Sequence, residues 1–195
     1  MGIKPLEGPA DTAFVRLRLR SEEGFGLLEL LMAMVMLNVG ILAIVAAFNS
    51  GALALSRASK ASTAATLGDT QMELFRGLKY SAIEQTTGEW NSAVADSTWT
   101  ADTAYQTNMA NPTAPKALVP TVTNCPNTNL NSCDPSFTAN GPDGRSYRVD
   151  TYLYYDQPST YGGQIKVVTV VVRAGDDLGH SLARETSTFD VTTGS

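Results

Sequence analysis

Few side chains in this sequence are equipped for chemistry, and their spacing limits what they can do. His180 is the only histidine, and Cys125 and Cys133 are the only cysteines. A protein zinc site takes four N or S donors, or three and a water, so no metal is expected. With one histidine, next to Gly179 in a stretch read as a hairpin loop, the abundant Ser and Thr have no general base, and a Ser-His-Asp arrangement has no support. Asp176-Asp177 lacks the DxDxDG spacing of a calcium loop and reads as a turn. No catalytic residue and no cofactor is assigned, and the chain is read as non-enzymatic.

Charge narrows the partners. Lys plus Arg number 14 against 19 Asp plus Glu, a net charge of -5, and nucleic acid held by phosphate neutralisation is not indicated. The 195 residues, 43% hydrophobic and 17% charged, exclude gross disorder, collagen and a multi-span membrane protein. They suit one modest domain plus whatever the apolar stretches require.

One such stretch dominates. Between Phe25 and Leu55 the only ionisable side chain is Glu29. About 20 apolar residues span a bilayer, so the segment is long enough, and it exceeds the roughly 7 to 15 apolar residues of a cleaved secretory signal. A plain signal-anchor helix explains the hydrophobicity but gives Glu29 no role. A carboxylate in a span costs a few kcal/mol near the centre and less near an interface, so it usually marks a partner. Glu29 lies about 6 Å along the helix from Phe25, where it either snorkels to the headgroups or pairs with a cation.

The junction Ser21–Leu31, SEEGFGLLELL, joins a charged leader ending in Gly24 to an aromatic at Phe25 and a lone carboxylate at Glu29. It resembles the class III leader of type IV pilins and type II secretion pseudopilins. The resemblance implies cleavage after Gly24 by a prepilin peptidase on the cytoplasmic side and N-methylation of Phe25. It also implies an assembly role for Glu29, whose carboxylate pairs with the new amine of a neighbouring subunit and sets axial register. The partners would be other pilins through the N-terminal helix, the peptidase, and the cytoplasmic membrane before assembly. The location would be the bacterial cytoplasmic membrane, single-pass with a cytoplasmic N-terminus, and then a periplasmic or extracellular filament.

The elements that position these groups follow from periodicity. No proline occurs between Pro9 and Pro112, and Ala54, Ala58, Ala61, Ala65, Gly68, Met72 and Phe75 recur at steps of three and four. That spacing predicts one helix over 25–80, apolar over 25–55 and amphipathic beyond. Ala43, Ala47 and Gly51 form a row of small residues that would let helices approach closely. Residues 1–24 are then a leader, and 81–145 read as a loop-rich region in which Trp90, Trp99 and Tyr105 anchor to a sheet. Residues 146–193 read as an antiparallel β-meander. Tyr147, Val149, Thr151, Leu153 and Tyr155 share one face, Arg148, Asp150 and Asp156 the other. Ile165–Val172 is a strand covered on both faces, and Phe189 and Val191 face inward on a last strand over 186–192. The strands YRVDTYLYYD and IKVVTVVVRAG resemble, over the last 50 or so residues, the minor pilin V and pseudopilin I branch. The expected fold class is α+β, a long N-terminal helix packed on a small antiparallel sheet.

Cys125 and Cys133 lie in a proline- and asparagine-rich loop, and outside the cytoplasm a disulfide is expected between them. Closing so short a loop contributes roughly 2 to 3 kcal/mol and should stiffen it without joining distant parts of the fold. The sequence therefore reads as a minor pilin or pseudopilin. The alternative is an uncleaved single-span protein displaying an extracytoplasmic binding or adhesin domain.

Overall fold

The structure, a computed structural model, describes residues 26–111, 119, 121–125, 131–156 and 164–191. The chain divides into two units, Met1–Asn49 and Ser50–Ser195. Helix α1, Leu27–Arg76, supplies all the described structure of the first unit except Gly26. There every described residue is exposed, Leu27, Met36 and Phe48 among them. This helix is long and apolar enough to cross a membrane once.

In the second unit the long helix packs on a four-stranded antiparallel sheet, an α+β fold as expected. The strands are β1 (Ser136–Asn140), β2 (Ser146–Asp156), β3 (Ile165–Ala174) and β4 (Asp177–Phe189), side by side in chain order. The meander has one strand more than the sequence indicates, since β1 falls in the stretch read as loop. Five residues between Asp134-Pro135 and Gly141-Pro142 carry little alternation, and pairing with β2 makes the strand, for example Phe137 opposite Val149. Strand β4 starts at Asp177, well before the expected 186. It ends at Phe189, which is buried, whereas Val191 is 70% exposed and does not face inward. His180 accordingly lies on a strand rather than in a loop.

Alternation gives the sheet two working faces. On one, Tyr147, Val149, Leu153, Val168, Val170, Val172 and Phe189 meet Ala64, Met72 and Phe75 of α1. The buried helix positions are Thr63, Ala64, Gly68, Gln71, Met72 and Phe75. Ala54, Ala58, Ala61 and Ala65, expected on this stripe, are exposed. Alanine occurs all round this part of the helix and fixes no phase; the large side chains Met72 and Phe75 fix it. Gly68 lets the helix close on the sheet, because a Cβ there would stand 3.1 Å from Glu185 Oε1 and 3.6 Å from Val172 Cγ2. Gly141 in the β1–β2 turn is as constrained, since its Cβ would fall 2.5 Å from Thr63 Cγ2. Lys60 ties the β3–β4 turn to the helix at 2.8 Å from Asp176.

The helix ends at Arg76 rather than near Tyr80. Gly77 is a poor helix residue, and its N–H makes the closing bond to the Glu73 carbonyl at 3.0 Å. Tyr80–Ala82 form a separate 3-10 turn. The Lys166 ammonium, on β3, caps that turn by donating to the Tyr80 and Ile83 carbonyls at 2.8 Å each.

The other face of the sheet carries a second layer that a loop assignment over 81–145 does not anticipate. It comprises α2 (Thr87–Ala95), α3 (Ser97–Thr100) and a π turn (Tyr105–Met109). Its anchor is Trp99, fully buried with Tyr152 and Val171. Trp90 meets the Trp99 ring edge-on at 5.3 Å between centroids, and Tyr105 lies at 5.1 Å, so the three aromatics form one cluster over the sheet.

Candidate functional site

The residues implicated by sequence fall in separate places. Gly24 and Phe25 lie outside the described residues. Glu29 sits exposed in the first turn of α1, its N–H donating to the Gly26 carbonyl at 2.9 Å. A carboxylate there is favoured by the helix macrodipole, whose positive end is the N-terminus. Ala43, Ala47 and Gly51 are all exposed on α1 at steps of four, and among the described residues no side chain comes within 4 Å of a Cβ built at Gly51.

Cys125 and Cys133 are joined by a disulfide, with Cα atoms 5.8 Å apart. Its surroundings differ from the expected isolated loop. Cys133 is 1% exposed, and its carbonyl accepts from the Thr86 N–H at 3.1 Å. Gln71 Nε2 on α1 donates to the Asn131 carbonyl at 2.9 Å, and Gln85 Nε2 reaches the Thr151 carbonyl on β2 at 3.1 Å. Thr86 bridges in parallel to Val122 on the other side of the disulfide. The loop is thus tied to the helix and to the segment entering α2, and that segment reaches the sheet through Gln85, because each buried backbone group there must find a partner.

Sequence reasoning missed the most elaborate polar arrangement, a chain of ion pairs under the second layer. Arg148 Nη1 lies 2.6 Å from Asp96, and Arg148 Nε lies 2.8 Å from Asp150. Arg173 pairs with both Asp150 and Asp102, and Arg184 Nη2 reaches the same Asp102 oxygen at 2.8 Å. The order Asp96, Arg148, Asp150, Arg173, Asp102, Arg184 alternates in sign and sums to zero. Asp150 and Arg173 are almost wholly buried. Such charges persist in an interior only when paired and hydrogen-bonded. The signal in the sequence was the charged face of β2, Arg148 and Asp150, together with Arg173 closing an apolar strand. Strand alternation shows that such residues share a face but not what covers it.

The electrostatics follow the pairing. Burial works to raise the Asp102 carboxyl, but hydrogen bonds from Arg184 and the Ala104 N–H, with the Arg184 and Arg173 charges, outweigh it and hold its pKa below the ordinary value. At Asp96, burial is likewise outweighed, there by the Thr98 N–H and by Arg148. Burial lowers the Arg148 guanidinium, yet Asp150 and Asp96 overcome this and raise it. Burial, reinforced by Asp150 and Asp102, raises the Tyr152 phenol, which stays neutral and donates to the Trp99 carbonyl at 2.9 Å.

Two polar features carry no chemistry of this kind. His180 Nδ1 is 3.1 Å from Asp177 on the exposed part of β4. Among the described residues, no group of three or more His, Cys, Asp or Glu side chains is placed to hold a metal ion. Comparison with protein-family models, with curated protein sequences and with solved structures finds no match.

Proposed function

We propose that the chain is a minor pilin or pseudopilin, a structural subunit that assembles into, or primes, a type IV pilus or type II secretion pseudopilus. The observation that carries this reading is the first part of α1. Its large side chains from Leu27 to Leu55 are exposed, and its one carboxylate, Glu29, sits in the first turn. An apolar surface of that length is soluble only in a bilayer or against other apolar helices. The junction SEEGFGLLELL supports the same reading through its resemblance to the class III leader. On this reading the precursor inserts with its N-terminus cytoplasmic, prepilin peptidase cuts after Gly24, and Phe25 is N-methylated. Glu29 then meets the amine of a neighbouring subunit, and Ala43, Ala47 and Gly51 let the helices close together. Mass spectrometry of the membrane protein in a host with an active prepilin peptidase is the test. A chain beginning at methylated Phe25 supports the proposal. A chain that keeps the Gly24-Phe25 bond overturns it and leaves a single-span protein displaying its domain.

A further inference from the structure

Between α3 and the β3–β4 hairpin lies an open cleft of about 410 Å³, to which the filament reading gives no role. Its floor is the buried pair Arg173 and Asp102, and its rim includes Arg184. Ligand pockets usually measure some 300 to 1,000 Å³, so a small molecule fits here.

The chemistry the cleft offers is that of a donor. Asp102 Oδ2 accepts from both Arg173 and Arg184, and Oδ1 accepts from the Ala104 N–H at 2.7 Å, so three of its roughly four acceptor sites are filled. Arg184 is the terminal cation of the ion-pair chain. Only Nη2 is bonded to Asp102, and 35% of its side chain remains accessible to solvent. Ser97, Thr98, Thr103 and Ser181, each bearing a hydroxyl, line the same cleft. The cleft therefore brings a partly exposed guanidinium beside four hydroxyl-bearing residues on a protein whose net charge is -5. The apolar contributors are Ala101, Leu178 and Gly179, with no aromatic ring on which a planar or neutral saccharide could stack.

We infer that this cleft binds a small hydroxylated carboxylate of the sugar-acid class, with the carboxylate on Arg184 and the ligand hydroxyls on the serine and threonine side chains. A guanidinium matches a carboxylate in geometry, and charge-assisted hydrogen bonds are the strong ones.

The test is titration of the full chain in detergent micelles with sodium glucuronate, sodium acetate, glucose and inorganic phosphate, followed by calorimetry and saturation-transfer NMR. Glucuronate should bind saturably and more tightly than acetate or phosphate, glucose should not bind, and added salt should weaken the interaction. Arg184→Gln should weaken glucuronate by about tenfold or more. Ser181→Glu changes an exposed strand position outside the ion-pair chain and places a competing carboxylate in the cleft. It should abolish binding with the thermal unfolding curve little changed. Lack of saturable binding, equal affinity for acetate and glucuronate, tighter binding of phosphate, or binding indifferent to Ser181→Glu would each overturn the assignment.

Discussion

Trp99 stacks on Tyr152, their ring centroids 4.5 Å apart, while the Tyr152 hydroxyl donates to the Trp99 carbonyl at 2.9 Å. One residue pair thus supplies both the apolar and the polar fastening of the second layer to the sheet. Trp99 also donates from Nε1 to the Pro135 carbonyl at 3.1 Å, next to the start of β1. Trp99→Ala should cost about 3 to 5 kcal/mol, because it removes a fully buried ring and orphans that carbonyl. Tyr152→Phe keeps the stack and should cost only about 1 kcal/mol. Chemical denaturation followed by tryptophan fluorescence and by far-ultraviolet circular dichroism separates the two variants. A Trp99→Ala protein as stable as the parent would show that the second layer does not support the sheet.

Acid should attack the ion-pair chain first. The folded pKa values of Asp96 and Asp102 lie below those of the unfolded chain, so the folded protein binds fewer protons there. Their contribution is complete above the unfolded carboxylate pKa of about 3.9 and is lost as pH falls through the lower folded values. The contribution of these two carboxylates should hold from neutral pH to roughly pH 4 and drop below it. Asp102→Asn should reduce that acid dependence and destabilise at pH 7, because Arg173 and Arg184 lose their shared counter-charge. Arg173→Met is the sharper variant. It leaves Asp150, wholly buried, without one of its two cations, at a cost of about 3 to 5 kcal/mol for a broken buried pair. Denaturation midpoints measured from pH 3 to 7 decide this, and a flat Asp102→Asn difference across that range would refute it.

Glu185 titrates in the opposite sense. It faces α1 beside Gly68, and burial, then the charge of Asp69, raise its pKa against the opposing pull of Arg76. A carboxyl with a raised folded pKa binds its proton more tightly when folded, so this site opposes folding at neutral pH and relaxes as pH falls through the folded value. Glu185→Gln should therefore stabilise the protein at pH 7 and make little difference near pH 4. Thermal midpoints of the pair at the two pH values test this, and a destabilised variant at pH 7 would reverse the sign argued here.

How much of this was legible in the sequence differs by element. The stretch from Ile165 to Val172 gave β3 directly, because a strand covered on both faces is apolar at nearly every position. The Cys125–Cys133 bond was legible by elimination, there being no other cysteines. The phase of α1 was misread because alanines lie on every side of it, and β1 escaped because five residues hold too little pattern to separate a strand from a loop. The ion-pair chain escaped for another reason. Asp96 and Asp102 flank Trp99, and they meet the charged face of β2 and β3 through its docking on the sheet, a contact encoded in shape rather than in spacing.

The disulfide should matter beyond its own loop. Cys133 is buried, and the segment it closes receives the Gln71 amide from α1 and the Thr86 N–H. Cys125→Ser, or reduction, frees the unfolded loop and also loosens these tethers, at about 2 to 4 kcal/mol in all. Hydrogen exchange should rise at Thr86, Thr87 and Val122 as well as within 125–133. Faster exchange confined to 125–133 would instead restore the simple picture of an isolated, stiffened excursion.

On the proposed filament reading, substituting Glu29 should separate membrane insertion from assembly. Insertion depends on the apolar length of α1, which Glu29→Ala leaves intact, and removing a charge from the segment makes insertion no harder. Cleavage after Gly24 acts five residues away and should also proceed. Incorporation is different if the carboxylate meets the new amine of the neighbouring subunit, because in a low-dielectric helix bundle an amine without its counter-charge is costly. Glu29→Ala should thus accumulate as processed membrane protein and be depleted about tenfold or more from sheared filaments, which corresponds to a loss of roughly 1.4 kcal/mol or more at the subunit contact. Glu29→Asp, one methylene shorter with the same charge, should fall between the two. Immunoblots of membrane and sheared fractions from cells expressing the parent and both variants give the comparison. Equal filament fractions for all three would reduce Glu29 to a headgroup-facing residue.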